Sequence, residues 1–188
     1  EGFSAHLLFG VTGSGKTDVY MAAAQRVIAA GGQVLLLVPE INLTPQLVER
    51  LNAALPGVDI ALLHSGLTPA SRRAHWLEAA AARARLVVGT RLAIFAPLPD
   101  LALIIVDEEQ DSSYKQQDNI RYHARDIAIW RAHHRGVPIV LGSATPSLES
   151  IQNVLTVRYQ HHQLTRWASS AGMPDVRVLD VRRQELQA

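Results

Sequence analysis

The run Gly10-Val11-Thr12-Gly13-Ser14-Gly15-Lys16-Thr17 fits the pattern G-x4-G-K-[ST]. These residue types suit a phosphate chain. Gly10, Gly13 and Gly15 let backbone N–H groups turn inward, and with Thr12 and Ser14 they form a loop that can cup phosphate oxygens. A helix starting at Thr17 would add partial positive charge. Lys16 is a slim point charge able to reach the terminal phosphates, and the Thr17 hydroxyl can ligate Mg²⁺. Of the 18 basic residues only Lys16 and Lys115 are lysines, so lysine stands where arginine's wide fork would not serve. Hydrolysis also needs a carboxylate for the hydrated metal and a group to orient water. The apolar run Leu101–Val106 ends in Asp107-Glu108, with Glu109 and Asp111 in the same loop. Asp107 is the expected Mg²⁺ carboxylate and Glu108 the expected water-activating base. Together with Lys16 they form the candidate catalytic set, with Thr17 and Asp107 as the metal ligands. The pair of motifs fits a kinase, a GTPase or a motor. No Asn-Lys-x-Asp stretch for guanine recognition occurs.

The elements that must hold these groups are readable from apolar runs. His6–Phe9, Val34–Val38, Ile60–Leu63, Leu86–Val88, Leu101–Val106 and Val137–Leu141 are short, unalternating and bounded by Gly, Pro or Asp, as in strands buried on both faces. Helices are expected over Thr17–Ala30, around Leu47, Val48, Leu51 and Leu55, through Ala79–Ala84, and over Arg121–Arg135 before Gly136. Thr44-Pro45, Thr68-Pro69 and Thr145-Pro146 each read as a threonine cap with proline at the first helical position. Strand–helix alternation implies an α/β fold with a mostly parallel sheet flanked by helices. Ligands of such sheets sit at the C-terminal ends of the strands. Residues 1–165 read as one nucleotide-binding lobe. Residues 166–188, with a loop at Ser169–Pro174 and an alternating run Val176–Val181, read as a connecting segment.

Composition narrows the class. With 48% hydrophobic and 19% charged residues the chain buries a real core. Eighteen Lys+Arg against 17 Asp+Glu give +1, so any grip on nucleic acid must be local rather than a bulk field. The absence of cysteine excludes disulfides, thiolate zinc sites and a cysteine nucleophile, and fits a cytoplasmic protein. No apolar run approaches the ~18 residues a membrane span needs, so no membrane partner is expected. His133-His134 and His161-His162 are adjacent pairs, which on a helix diverge by about 100° and do not chelate.

Gly10–Thr17, Asp107-Glu108-Glu109-Gln110 and Gly142-Ser143-Ala144-Thr145 resemble motifs I, II and III of superfamily 2 helicases. The intervening segments Pro39–Gln46, Leu63–Gly66, Gly89–Pro97, Asp111–Gln117 and Arg121–Asp126 resemble one family within it, the PriA family of bacterial replication-restart DNA helicases. The resemblance covers nearly the whole chain. It implies the first RecA-like P-loop NTPase lobe of a 3′-to-5′ DNA motor, with ATP and Mg²⁺ as cofactors. Zinc is expected only in a cysteine-rich part of the family that these residues do not include. Implied partners are single-stranded or forked DNA, other replication-restart and primosome proteins, and single-stranded-DNA-binding protein. Gln110, Ser143 and Thr145 would couple nucleotide state to DNA. Two positions depart from the family. Gln110 replaces the usual histidine and can hydrogen-bond but not titrate, and Leu92 replaces a serine.

Three segments are candidates for DNA contact. Pro39 and Thr44 belong to the stretch resembling motif Ia. Thr90 and Arg91 belong to that resembling motif Ib, where a hydroxyl and a guanidinium could hold consecutive phosphates. Tyr114, Lys115, Arg121 and Tyr122 interleave aromatic faces with basic heads, as suits unpaired bases. A non-catalytic nucleotide-sensing scaffold and another translocase of the superfamily are the competing readings. A second lobe would supply the arginine finger, worth ~10³–10⁵ in rate, so these residues alone should bind nucleotide weakly and turn over little.

Overall fold

A computed structural model describes residues 2–118 and 120–165. The seven-stranded sheet is built from β1 (Ala5–Gly10), β2 (Gln33–Leu37), β3 (Ile60–Leu63), β4 (Leu86–Gly89), β5 (Leu101–Val106), β8 (Ile139–Ser143) and β9 (Gln160–Leu164). Their order is β3-β4-β2-β5-β8-β1-β9, with every pairing parallel. A separate antiparallel pair, β6 (Lys115–Gln116) and β7 (Tyr122–His123), lies after β5.

Both sheet faces are buried, which is why the strands read as continuous apolar runs. Leu8, Val34, Leu36, Val88, Leu103 and Ile105 pack under α1 (Lys16–Ala29) and α2 (Pro45–Ala54). Leu7, Leu35, Val87, Ile104, Val106 and Leu141 pack under α3 (Pro69–Ala80) and α4 (Ala124–Arg135) on the other face. Ala124, Ala128 and Ala132 form a stripe at i, i+4 and i+8 of α4, small enough to let it lie close on β5. Gln33 is wholly buried yet satisfied. Its amide donates to Ala79 O at 3.0 Å and Ala84 O at 2.9 Å, and its Oε1 accepts from Asp100 N at 3.1 Å.

Thr44 and Thr68 cap α2 and α3, each hydroxyl accepting an amide three residues on. Thr145 does not cap. The next helix, α5 (Leu148–Leu155), starts later and is capped by Ser147. The helix expected through Ala84 ends at Ala80, because Ala82 adopts a left-handed φ of 55° and the chain turns into β4. The helix expected from Arg121 begins at Ala124, since Tyr122–His123 pair with Lys115–Gln116 instead. β9 was invisible in the sequence, and it carries His161 and His162 as an exposed strand rather than on a helix. The expected connecting segment 166–188 lies outside the described residues. Among those described, no helix is long and apolar enough to cross a membrane.

Candidate functional site

Parallel pairing aligns the strand ends, so the chemically suggestive residues all emerge at one edge of the sheet. Gly10 ends β1, Val106 ends β5 and Ser143 ends β8, with β8 seated between the other two. The phosphate-loop residues and the acids therefore flank the end of β8. Leu37 and Gly89, which precede the stretches resembling motifs Ia and Ib, end the adjoining β2 and β4.

The loop from Gly10 to Gly15 turns on glycine. Gly13 (φ 80°) and Gly15 (φ 90°) are left-handed, a conformation that would strain other residues. Gly15 is also the N-cap of α1 and has no side chain to accept an amide, so no side-chain cap covers the first-turn N–H groups, of which Asp18 N donates to Gly15 O at 3.0 Å. Among the described residues the buried Ser14 hydroxyl has no partner. Lys16 is 7% exposed. Its Nζ donates to Gly10 O at 2.8 Å and lies 3.4 Å from Glu108 Oε1. Thr12, Gly13, Gly15, Lys16, Thr17, Asp107 and Glu108 line one cavity of about 270 Å³, with Arg50 at its margin, 3.6 Å from Asp18. The structure thus brings together the lysine, threonine and two acids picked out from sequence.

The acidic loop is wired on several sides. Asp107 Oδ1 accepts from the Tyr20 hydroxyl at 2.9 Å. Burial raises the Asp107 carboxyl above the usual carboxylate range; the Tyr20 hydrogen bond opposes this, Glu108 adds to it and Lys16 opposes it. Burial, then the Asp107 charge, drives the Tyr20 phenol far above its usual range, so it stays a donor. Glu108 holds a positive φ of 46°, strained backbone of the kind that clusters at functional sites. Gln110 Nε2 donates to Glu108 Oε2 at 3.0 Å, Ser143 Oγ donates to Gln110 Oε1 at 2.5 Å, and Thr145 N donates to Ser143 Oγ at 2.9 Å. One ion pair, Lys16–Glu108, and three hydrogen bonds therefore form a path from Lys16 through Glu108, Gln110 and Ser143 to Thr145. Glutamine sustains it by donating with one end and accepting with the other.

Sequence reasoning missed three participants. Tyr20 is one. The second is the buried pair Arg125–Glu109 (3.0 Å), closed by Ser147, whose N–H donates to Glu109 Oε1 at 2.7 Å. Glu109 had read as one of several crowded acids, yet it is fully buried. The third is Gly142, where a Cβ would overlap the Tyr20 hydroxyl. No local spacing announces any of these.

The profile of the DEAD/DEAH box helicase family matches residues 4–154. The chain belongs to that family. The chain is 47% identical over 187 residues to the replication restart protein PriA of Haemophilus influenzae, covering all of this chain and 26% of that protein. It is 46% identical over 178 residues to PriA of Bacillus subtilis, covering 95% of this chain and 22% of the relative. The chain thus spans about a quarter of the length of these curated relatives. Among solved structures, RecG bound to a three-way DNA junction superimposes with a TM-score of 0.60 at 23% identity, covering 85% of this chain and 20% of that one. That likeness, with the parallel sheet, shows the RecA-like fold.

The candidate DNA residues divide. Pro39 is buried and opens a short 3₁₀ turn, Glu40–Asn42, and the Thr44 hydroxyl is engaged as a cap, accepting from Leu47 N at 3.3 Å. Thr90 is 8% exposed. Arg91 Nη1 donates to Ser113 O and Lys115 O, each at 3.1 Å, so its guanidinium pins the loop after the acids. Tyr114 corrects the expectation of a stacking platform. It is fully buried, and its hydroxyl donates to Asp107 O at 2.7 Å, so it offers no face to a base. Lys115 and Arg121 are exposed, Tyr122 is half-buried against the core with its hydroxyl buried, and with His123 they line a cavity of about 530 Å³. Tyr122 meets Phe95 edge-on at 5.3 Å, and Phe95 is itself half exposed.

Proposed function

We propose that this chain is the ATP-binding lobe of a 3′-to-5′ DNA helicase acting in replication restart and primosome assembly. The observation that carries the nucleotide reading is the 3.4 Å approach of Lys16 Nζ to Glu108 in a cavity that Thr17 and Asp107 also line. The cavity fits a magnesium-bound triphosphate. Amides of α1 without a side-chain cap, a Ser14 hydroxyl buried with no partner among the described residues and a lysine resting on a backbone carbonyl are donors awaiting an anion. ATP would lie along Thr12–Thr17, and Mg²⁺, held by Thr17 and Asp107, would neutralise charge building on the phosphates.

The chain's own groups then act as follows. Lys16 leaves Gly10 O and Glu108 for phosphate oxygens, which frees Glu108 to accept a proton from the attacking water. The Gln110–Ser143–Thr145 path carries the resulting shift of Glu108 toward α5. The exposed Lys115 and Arg121, beside the half-buried ring of Tyr122, offer the surface for single-stranded or forked DNA, with Thr90 and Arg91 shaping it. Replication-restart and primosome proteins, among them single-stranded-DNA-binding protein, are the proposed protein partners and the cytoplasm the proposed location. These rest on the similarity to PriA. The chain alone should turn over little ATP.

Titrating a fluorescent ATP analogue into the chain and into Lys16→Ala tests the cradle. Removing a charge-assisted donor worth ~1.5–3 kcal/mol should weaken binding about 10-fold or more. Equal affinities would refute the reading.

A further inference from the structure

Tyr20 lies one helical turn beyond Lys16 on the same buried face of α1, and it is 2% exposed. A phenylalanine would fill the same volume without carrying a hydroxyl into the core, where an unpartnered one is costly. That hydroxyl reaches 2.9 Å from Asp107 Oδ1, across 87 residues of sequence. Room for it exists only because position 142 is glycine, since any Cβ there would overlap the phenol oxygen. Gly142 O in turn accepts from Glu109 N at 3.0 Å, so the same residue that makes space for the phenol also anchors the acidic loop. Three elements, α1, the end of β5 and β8, are therefore arranged around one hydrogen bond to the carboxylate that faces the nucleotide cavity.

We infer that Tyr20 is a positioning residue for the metal-binding carboxylate. Its hydroxyl occupies one oxygen of Asp107 and fixes the rotation of the carboxylate, with Gly142 as the gap that admits it. Residues bonded to a metal ligand orient it and raise its effectiveness, and their loss typically weakens metal affinity about 10–100-fold. Because Tyr20 springs from the helix that begins at Lys16, the phosphate cradle and the metal carboxylate are held in one rigid frame. This inference rests on the proposed binding of magnesium-bound ATP.

The test is nucleotide-analogue binding to this chain as a function of Mg²⁺, together with binding in EDTA. In Tyr20→Phe the Mg²⁺ concentration at half effect should rise by about 10-fold or more, while affinity in EDTA stays that of the unsubstituted chain. Gly142→Ala, which displaces the phenol and leaves Tyr20 in place, should give a shift of the same sign. In an Asp107→Asn background the Tyr20→Phe shift should vanish, an outcome that a general packing role for the ring would not produce. An unchanged Mg²⁺ midpoint in Tyr20→Phe, or a shift that persists in full beside Asp107→Asn, overturns the inference. Failure of the nucleotide reading itself looks different. The unsubstituted chain would then bind no analogue in EDTA or in Mg²⁺, and the inference would fall with it.

Discussion

Replacing Arg125 by methionine should be among the most destabilising single changes available in this chain. Glu109 is fully buried and Arg125 is 9% exposed. Their 3.0 Å pair is joined by Ser147, whose N–H and Oγ approach Glu109 at 2.7 and 3.1 Å. Methionine fills much of the arginine's volume, so the loss is mainly electrostatic. A carboxylate is left in the core with only Ser147 to hold it. Breaking a buried pair from one side costs about 3–5 kcal/mol. At ~2–4 °C per kcal/mol for a chain of this size, the thermal midpoint should fall by about 6–20 °C. Circular dichroism melts of the unsubstituted chain, Arg125→Met and Arg125→Met/Glu109→Gln read this directly. The double variant should recover most of the loss, because a neutral amide keeps the bond from Ser147 N without a stranded charge. A midpoint for Arg125→Met within about 2 °C of the parent, or a double variant less stable than the single, would refute the reasoning.

Gln33→Leu removes the partner of Ala84 O and of Asp100 N and one donor to Ala79 O, which also accepts from Ala82 N, and should cost about 1–3 kcal/mol in urea unfolding; an unchanged urea midpoint would mean those groups find other partners. His6 Nδ1 and His162 Nε2 lie 3.0 Å apart, a spacing that admits one shared proton. Burial, then His162, holds His6 below its ordinary pKa. The unfolded chain therefore binds the proton more readily, and stability present above about pH 6.5 is lost on acidification. His162→Gln should reduce, though not abolish, the drop in thermal midpoint between about pH 7.5 and 5.5, since the larger cause is burial. A drop of undiminished size would mean that His162 does not burden the pair.

The parts of the fold legible in the sequence were those whose burial repeats locally. Leu101–Val106 and Ile60–Leu63 matched to the residue, because a parallel strand covered on both faces has no polar position to blur its ends. β9 reads Gln-His-His-Gln-Leu, and it is a strand only because β1 offers it a partner on an otherwise open edge. The start of α4 was misplaced because Tyr122–His123 find a strand partner in Lys115–Gln116, a tertiary choice that overrides helical compatibility. In the site, Lys16, Thr17, Asp107 and Glu108 were legible because their chemistry prescribes residue type and spacing. Tyr20 on Asp107 and Arg125 on Glu109 were not, since each is an ordinary residue whose role exists only once the sheet has closed the gap. Tyr114 shows the converse. Its neighbours suggested an exposed aromatic, and its burial followed from a hydroxyl that completes the Asp107 carbonyl.

α2, α3 and α5 each begin with a hydroxyl that satisfies an early amide, whereas α4 has no side-chain cap and α1 begins with a left-handed glycine that has no side chain to offer one. A side-chain cap is worth about 1 kcal/mol, so the folded chain forgoes that stabilisation at the one helix whose start faces the cavity. Directed evolution judged on heat resistance alone would favour replacements in this loop that satisfy those amides internally. Thermotolerant clones from such a campaign should accumulate changes around residues 12–15 and lose their response to added nucleotide.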